Sequence, residues 1–234
     1  MQGLSLLRDT SRMKVVAIIQ ARMGSTRLPG KIMLPLADRP LIEQLYSRVK
    51  RAVSVSRVIL AIPTGTWNEM RDAYIPFGDF FLFDGDEHDL VARHLACAER
   101  YQADVIVRIP GDNPCVDPAY IDRAVTQWFE DLSPFVTNTT AGHAGLWIDG
   151  IGAEVFSVSR LRWLDRATAH HTDRSLREHP HKYFCASLPA ADIRLDVNTQ
   201  ADYEFISDIY NHFGHNRFTT ADVVAYLETK KVLA

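Results

Sequence analysis

The sequence predicts an α/β protein built on a mostly parallel sheet, and three observations carry that prediction. Apolar, β-branched runs recur at Lys14–Gln20, Arg57–Ile62, Phe80–Phe83 and Asp104–Ile109, each of strand length. The segments between them have helical periodicity, which gives the strand–helix rhythm of parallel sheets. Val15–Ile19 and Val105–Ile109 are nearly continuous in apolar character, as central strands covered on both faces must be. The carboxyl ends of such strands are where chemistry is expected.

Taken in order, Met1–Arg12 precede the first strand and are expected to form an unstructured extension, with residues 13–234 as a single domain. Leu41, Leu45 and Val49 recur at helical spacing beside Ile42 and Tyr46, and Glu43, Ser47 and Arg51 take the other positions. Val91, Leu95 and Ala98 mark a second helix. The later half is less regular, with strands expected at Ala153–Val158, Lys182–Leu188 and Ile193–Val197. Two helices close the chain: Ile206, Ile209, Tyr210 and Phe213 form one apolar stripe, and Thr219-x-x-Asp222 reads as a capping box opening the last helix.

Composition narrows the function classes. With 234 residues, 47% hydrophobic and 24% charged, the chain is neither disordered nor a disulfide-dense mini-protein. A formal net charge of −3 supplies no global basic field for nucleic acid, so any cationic site must be local. No apolar run reaches the roughly 18–20 residues of a membrane span, and residues 1–13 lack a signal-peptide core, which predicts a cytoplasmic protein. Cys97, Cys115 and Cys185 have no Cys-x-x-Cys spacing and read as free thiols; neither they nor the histidines have the spacing of a zinc site.

The most informative segment is Gln20–Lys31, directly after the first strand. It holds Arg22, Arg27, Lys31, Gly24 and Gly30 within a short stretch. The glycine spacing, Pro29 and Ile32 exclude a Walker loop, and no Gly-x-Gly-x-x-Gly is present. A glycine-containing loop exposes backbone N–H groups, two arginines can fork onto phosphate oxygens, and a lysine adds a point charge. That set suits a nucleoside triphosphate.

Gln20–Lys31 resembles the opening signature of the cytidylyltransferases that make CMP-activated sugars, closest to the spore-coat-polysaccharide branch related to CMP-Kdo and CMP-sialic acid synthetases. The resemblance continues through Phe83–Leu90 with Arg93, Val107–Pro114, Val136–Thr139, Asp149-Gly150 with Glu154–Phe156, and Arg194–Thr199 with Asp202, covering about residues 14 to 210. It implies a three-layer αβα sandwich with a mostly parallel mixed sheet, the Rossmann-like nucleotide-diphospho-sugar transferase fold. It also implies attack of an acceptor oxygen on the α-phosphorus of CTP with release of pyrophosphate, in the service of surface-polysaccharide synthesis. The expected partners are CTP and a sugar or sugar acid, and the expected assembly is a homodimer contacting through Trp147–Glu154 and the region after it.

Carried onto these residues, the resemblance makes Arg22, Arg27 and Lys31 the catalytic cations. Ala21, Gly24, Ser25, Pro63, Gly85, Arg93 and Asp112 join them in binding the nucleotide. Asn138, Asp149, Glu154, His170 and Arg194 become acceptor contacts, and the Gln20–Lys31 loop, Pro63-Thr64 and Asp84–Arg93 together frame a pyrimidine pocket. Asp112, in the turn between Pro110 and Pro114, suits Mg²⁺, which takes one or two carboxylates plus phosphate oxygens. The second metal carboxylate is displaced: Asn198 stands where the pattern has aspartate, and Asp196, two residues earlier on the same strand face, is expected to replace it. Only His170-His171-Thr172 matches a stretch that commonly begins Arg-Glu-His, and His170 reads equally as a solvated loop residue. Two alternatives stay open: a same-fold nucleotidyltransferase with another base or a phosphonate or phosphate acceptor, and a nucleotide-binding subunit with impaired catalysis.

Overall fold

The structure is a computed structural model that describes residues 13–65, 79–131, 135–137, 148–167, 182–183 and 193–233. Strands β1 (Val15–Gln20), β4 (Arg57–Pro63), β5 (Asp79–Phe83), β6 (Val105–Pro110), β7 (Phe135–Thr137), β9 (Glu154–Ser157) and β10 (Lys182–Tyr183) form a seven-stranded sheet in the order β10-β7-β9-β6-β1-β4-β5. β1 pairs parallel with both β4 and β6, β4 with β5 and β7 with β10, while β9 runs antiparallel to β6 and β7. The sheet is thus mixed and mostly parallel, as expected. Two-residue ladders join β2 (Pro35–Leu36) to β3 (Arg39–Pro40), and β8 (Ile148–Asp149) to β11 (Ile193–Arg194).

Alternation along β1 shows why its run is continuous. Val15, Ala17 and Ile19 pack on one side with Ile42, Leu45 and Val49 of α1 (Leu41–Val49) and with Ile121, Ala124 and Val125 of α3 (Pro118–Asp131). Val16 and Ile18 pack on the other, with Val91, Cys97 and Ala98 of α2 (Leu90–Arg100) and Leu161 and Leu164 of α4 (Val158–Ala167). Helices on both faces of the sheet make the three layers. Neither α3 nor α4 was marked in advance by its apolar spacing, and both are amphipathic in the structure.

A third cluster lies over the turn after β6. Ile206, Ile209 and Tyr210 of α5 (Gln200–Phe213) and Val223 and Val224 of α6 (Thr220–Leu233) pack with Cys115, Tyr120 and Phe218. The Thr219–Asp222 capping box is present, with Asp222 N donating to Thr219 Oγ1 and Thr219 N to Asp222 Oδ2. A second box, unmarked in the sequence reading, joins Thr199 to Asp202 at the start of α5. Two buried charges tie this layer down. Arg48 of α1 donates to the carbonyls of Val116 (2.7 Å), Asn216 (2.6 Å) and Phe218 (2.9 Å). Asp117 accepts from Thr220 N at 2.8 Å and Thr220 Oγ1 at 2.9 Å.

The strand expected at Ile193–Val197 pairs only at Ile193–Arg194, so Asp196 and Asn198 do not share a strand face. Leu195 N instead bonds Asp149 O, and Val197 N bonds Asp112 O at 2.8 Å, which turns the chain across the carboxyl end of β6. Of the strand expected at Lys182–Leu188, residues 184–188 lie outside the described residues, as do Cys185, the 1–12 extension and Trp147. Cys97 and Cys115 are buried free thiols. Ile148, Ile151, Ala153 and Glu154 are buried inside the protomer, so most of the stretch expected to make a dimer contact is occupied by the chain's own packing.

Candidate active site

The loop after β1 is shaped by its own backbone. Ser25 N and Gly30 N both donate to Met23 O, at 2.8 and 3.1 Å. Gly30 adopts φ +68°, a left-handed conformation that costs glycine little, and it opens the short 3₁₀ turn Lys31–Met33. That turn drives Lys31 inward until it is only 9% exposed. Lys31 Nζ then donates to Asp112 Oδ2 (2.7 Å), Val197 O (2.6 Å) and Asn198 Oδ1 (3.1 Å). Arg27 Nη2 reaches the same Asn198 oxygen at 2.7 Å.

Gly111 lets the second element approach. A Cβ there would fall 2.4 Å from Gln20 O, so only glycine allows the turn carrying Asp112 to pack against the end of β1. Asp112 Oδ2 is on Lys31, and among the described residues Oδ1 has no hydrogen-bond partner.

These elements enclose a cavity of about 380 Å³ at the carboxyl ends of β1 and β6, the size of a small-molecule site. Its walls carry four cations, Arg22, Arg27, Lys31 and Arg93, against two carboxylates, Glu87 and Asp112. The field in it is positive and local, although the chain as a whole is acidic. Arg93 is buried, and burial followed by repulsion from Arg22 lowers its pKa to about 10. Its Nη2 donates to Glu87 O, and Nε has no partner among the described residues. Arg22 Nη1 lies 3.2 Å from both Glu87 Oε1 and His88 Nδ1.

Of the expected nucleotide-binding residues, Ala21, Arg22, Ser25, Arg27, Lys31, Arg93 and Asp112 line this cavity. Gly24 lies beside it, where an added Cβ would sit 3.6 Å from Glu87 Oε1. Pro63 and Gly85 do not line it; Pro63 is buried at the end of β4 and Gly85 is exposed beside the Phe83 ring.

The acceptor and metal expectations fare differently. Asn138 and His170 lie outside the described residues. Asp149 pairs through the backbone with Leu195, and neither it nor Arg194 lines the cavity. Glu154 is fully buried and ion-paired with Arg108. The register places Glu154 opposite Arg108, two residues below the strand end, so it faces the core and not a substrate. Asp196 is also outside the cavity lining: both its oxygens are taken, by Arg194 Nε (3.1 Å) and Nη2 (2.8 Å) and by the Asn198 amide. Asn198 is the residue that faces the site.

Gln20, Glu87 and His88 also line the cavity; none was singled out as a site residue, although Gln20 opens the cationic loop and Glu87 and His88 fall in the Asp84–Arg93 segment. The strand-end rule could have flagged Gln20. Nothing local pairs Glu87 with Arg22, which is 65 positions away.

Beneath the floor, Arg108 Nε donates to Gln20 Oε1 at 3.0 Å, and His94 is buried nearby. His94 Nδ1 donates to Leu90 O at 2.6 Å, leaving Nε2 without a partner among the described residues. Burial, then the charge of Arg108, depresses its pKa from 6.5 to about 3. The unfolded chain therefore binds this proton first. Stability should be unaffected by His94 above about pH 6.5 and fall by about 1.4 kcal/mol per pH unit below it, down to about pH 3. Urea unfolding at pH 7 and pH 5 should show wild type losing about 2 kcal/mol more than His94→Gln; equal losses would show that His94 does not set the acid sensitivity.

A mixed, mostly parallel sheet thus carries a cationic loop at its central strand end, facing a carboxylate in the turn after the neighbouring strand β6. Among solved structures the chain is similar to a cytidylyltransferase from Leptospira borgpetersenii, with TM-score 0.83 and 27% identity over 94% of this chain and 96% of that one. It shares its fold with a CMP:2-keto-3-deoxy-manno-octonic acid synthetase, with TM-score 0.66 and 17% identity over 86% of this chain and 99% of that one. The cytidylyltransferase family model matches residues 16–183. In sequence the chain is 30% identical to the spore coat polysaccharide biosynthesis protein SpsF of Bacillus subtilis, over 86% of this chain and 88% of that protein. It is 39% identical to a 3-deoxy-manno-octulosonate cytidylyltransferase of Trichlorobacter lovleyi, over 48% of this chain and 44% of that enzyme. The chain belongs to the cytidylyltransferase family. Among the described residues no helix is long and apolar enough to cross a membrane.

Proposed function

We propose that the protein transfers CMP from CTP to a sugar or sugar acid, releasing pyrophosphate, in surface-polysaccharide synthesis. The observation that carries this reading is the convergence of Arg27, Lys31 and Asp112 on one cavity. The Bacillus subtilis relative, named for spore coat polysaccharide, and the Trichlorobacter lovleyi relative, named for an octulosonate acceptor, support the acceptor class. In this reading Ser25 and the loop amides bind the triphosphate, while Arg22, Arg27 and Lys31 orient it and offset charge on the departing β- and γ-phosphates. Asp112 would hold a divalent cation, Mg²⁺ in our reading, because its Oδ1 has no partner among the described residues and a carboxylate oxygen suits a hard cation. Such an ion, when bound, supplies charge neutralisation at the α-phosphate. The same reading has the enzyme working in the cytoplasm as a homodimer.

Pyrophosphate release should be measured with CTP, UTP, ATP and GTP against 3-deoxy-ulosonic acids, hexoses and phosphonates. CTP-dependent release with a sugar or sugar acid is expected, and Asp112→Asn should lower it by about 10²- to 10³-fold. Release with only a phosphonate or another base would replace this reading by the same-fold alternative. CTP binding without release from any pair would identify a non-catalytic subunit, which the amide at position 198 would explain.

A further inference from the structure

Asn198 stands between the phosphate-facing cations and a salt bridge outside the cavity. Its Oδ1 accepts from Arg27 Nη2 at 2.7 Å and from Lys31 Nζ at 3.1 Å. Its Nδ2 donates to Asp196 Oδ2, and Asp196 is gripped by both Nε and Nη2 of Arg194. Its backbone N–H donates at 2.9 Å to Asp202 Oδ2, within the capping box of α5. The residue is therefore anchored through main chain and side chain alike.

We propose that Asn198 sets the affinity of this site for a polyphosphate by holding Arg27 and Lys31 with an uncharged oxygen, and that Asp196 is the positioning residue that fixes the orientation of the amide. The inference rests on the CTP reading of the cavity and assigns Asp196 a part other than metal ligation.

The chemistry of the amide decides the point. An amide has one accepting end and one donating end, and reversing it would press an NH₂ against two cations. An ionised carboxylate only accepts, so Asp196 takes the donating end and leaves the oxygen toward Arg27 and Lys31. Arg194 in turn holds Asp196 bidentately. A carboxylate at position 198 would do something different: it would lie against the carboxylate of Asp196 and neutralise cations of which one, Lys31, already serves Asp112. With an amide there, both side chains are fixed and their charge stays available to an anionic ligand. The site is thus built to bind its nucleotide without help from a divalent cation, leaving Asp112 as the carboxylate for a metal.

The test is calorimetric binding of CTP to wild type, Asn198→Asp, Asp196→Ala and Asp196→Asn, in EDTA and with saturating Mg²⁺, with Mn²⁺ titrated into each protein alone. Wild type should bind CTP in EDTA. Asn198→Asp should lose about tenfold in that metal-free affinity, recover most of it with Mg²⁺, and bind Mn²⁺ more tightly than wild type. Asp196→Ala should lose about as much in EDTA, and Asp196→Asn, which keeps an accepting oxygen, should lose less. A folded Asp196→Ala that binds CTP like wild type, an Asn198→Asp unchanged in EDTA, or wild type that binds CTP only with metal would each overturn the inference while leaving the CTP reading standing. Wild type that binds no CTP in either condition would overturn the reading and the inference together.

Discussion

Lys31→Ala is expected to lower kcat/KM for the cytidylyl transfer by about 10³-fold. The lysine is buried among three acceptors, the Asp112 carboxylate, the Val197 carbonyl and the Asn198 amide, so its removal does more than delete one phosphate contact. It leaves Asp112 without its described counter-ion and Val197 O without that donor. Lys31→Arg should recover little, because a planar fork cannot place a single point charge among three converging oxygens. Steady-state kinetics with CTP and the acceptor that the pyrophosphate-release assay identifies decide the matter, and a loss below about tenfold would put the main phosphate charge on Arg22 and Arg27 instead.

Glu154→Ala should destabilise the fold by about 3–5 kcal/mol. Glu154 and Arg108 have side-chain exposures of 0% and 1%, so truncation of the acid removes the neutralising carboxylate from a guanidinium in the sheet interior, beneath Gln20 and beside His94. For a chain of this length the midpoint of thermal unfolding should fall by about 10 °C. Calorimetric scans of Glu154→Ala and Glu154→Gln provide the check, the glutamine retaining an oxygen for Arg108 and losing less. A variant that melted like wild type but lost affinity for the sugar acceptor would return Glu154 to the substrate-contact role that its sequence position suggests.

How far the sequence could be read depended on whether the signal was local. β1, β4 and β6 were legible because strands buried on both faces need unbroken apolar runs, and β5, half-buried at the sheet edge, because its short run is aromatic and apolar; each lies within a residue or so of its expected bounds. β2, β3 and β8 were not, since a two-residue strand has no period to detect. Within the site, Arg22, Arg27 and Lys31 were legible because they fall in one contiguous loop with glycines, and Asp112 because two prolines stiffen its turn. Glu154 and Arg194, expected as substrate contacts, are instead held in ion pairs within the chain, with Arg108 and Asp196, and a charged residue near a strand end carries no local sign of a partner 46 positions away. Asp196 was expected to replace Asn198 on strand geometry, yet the chain leaves the strand at Arg194 and crosses over Asp112. That crossing depends on tertiary hydrogen bonds no local pattern encodes.

Arg48 and Asp117 give the C-terminal layer a further property. Peeling α5 and α6 from the sheet would leave a guanidinium inside the apolar interior without the Asn216 and Phe218 carbonyls, and a buried carboxylate without Thr220. Both are heavy penalties for an opening that exposes only part of the molecule. The last two helices therefore have no inexpensive route to local fraying along their packed face. The amide protons around the Asn216–Thr220 connection and the start of α6 are therefore expected to exchange with solvent only when the sheet itself opens.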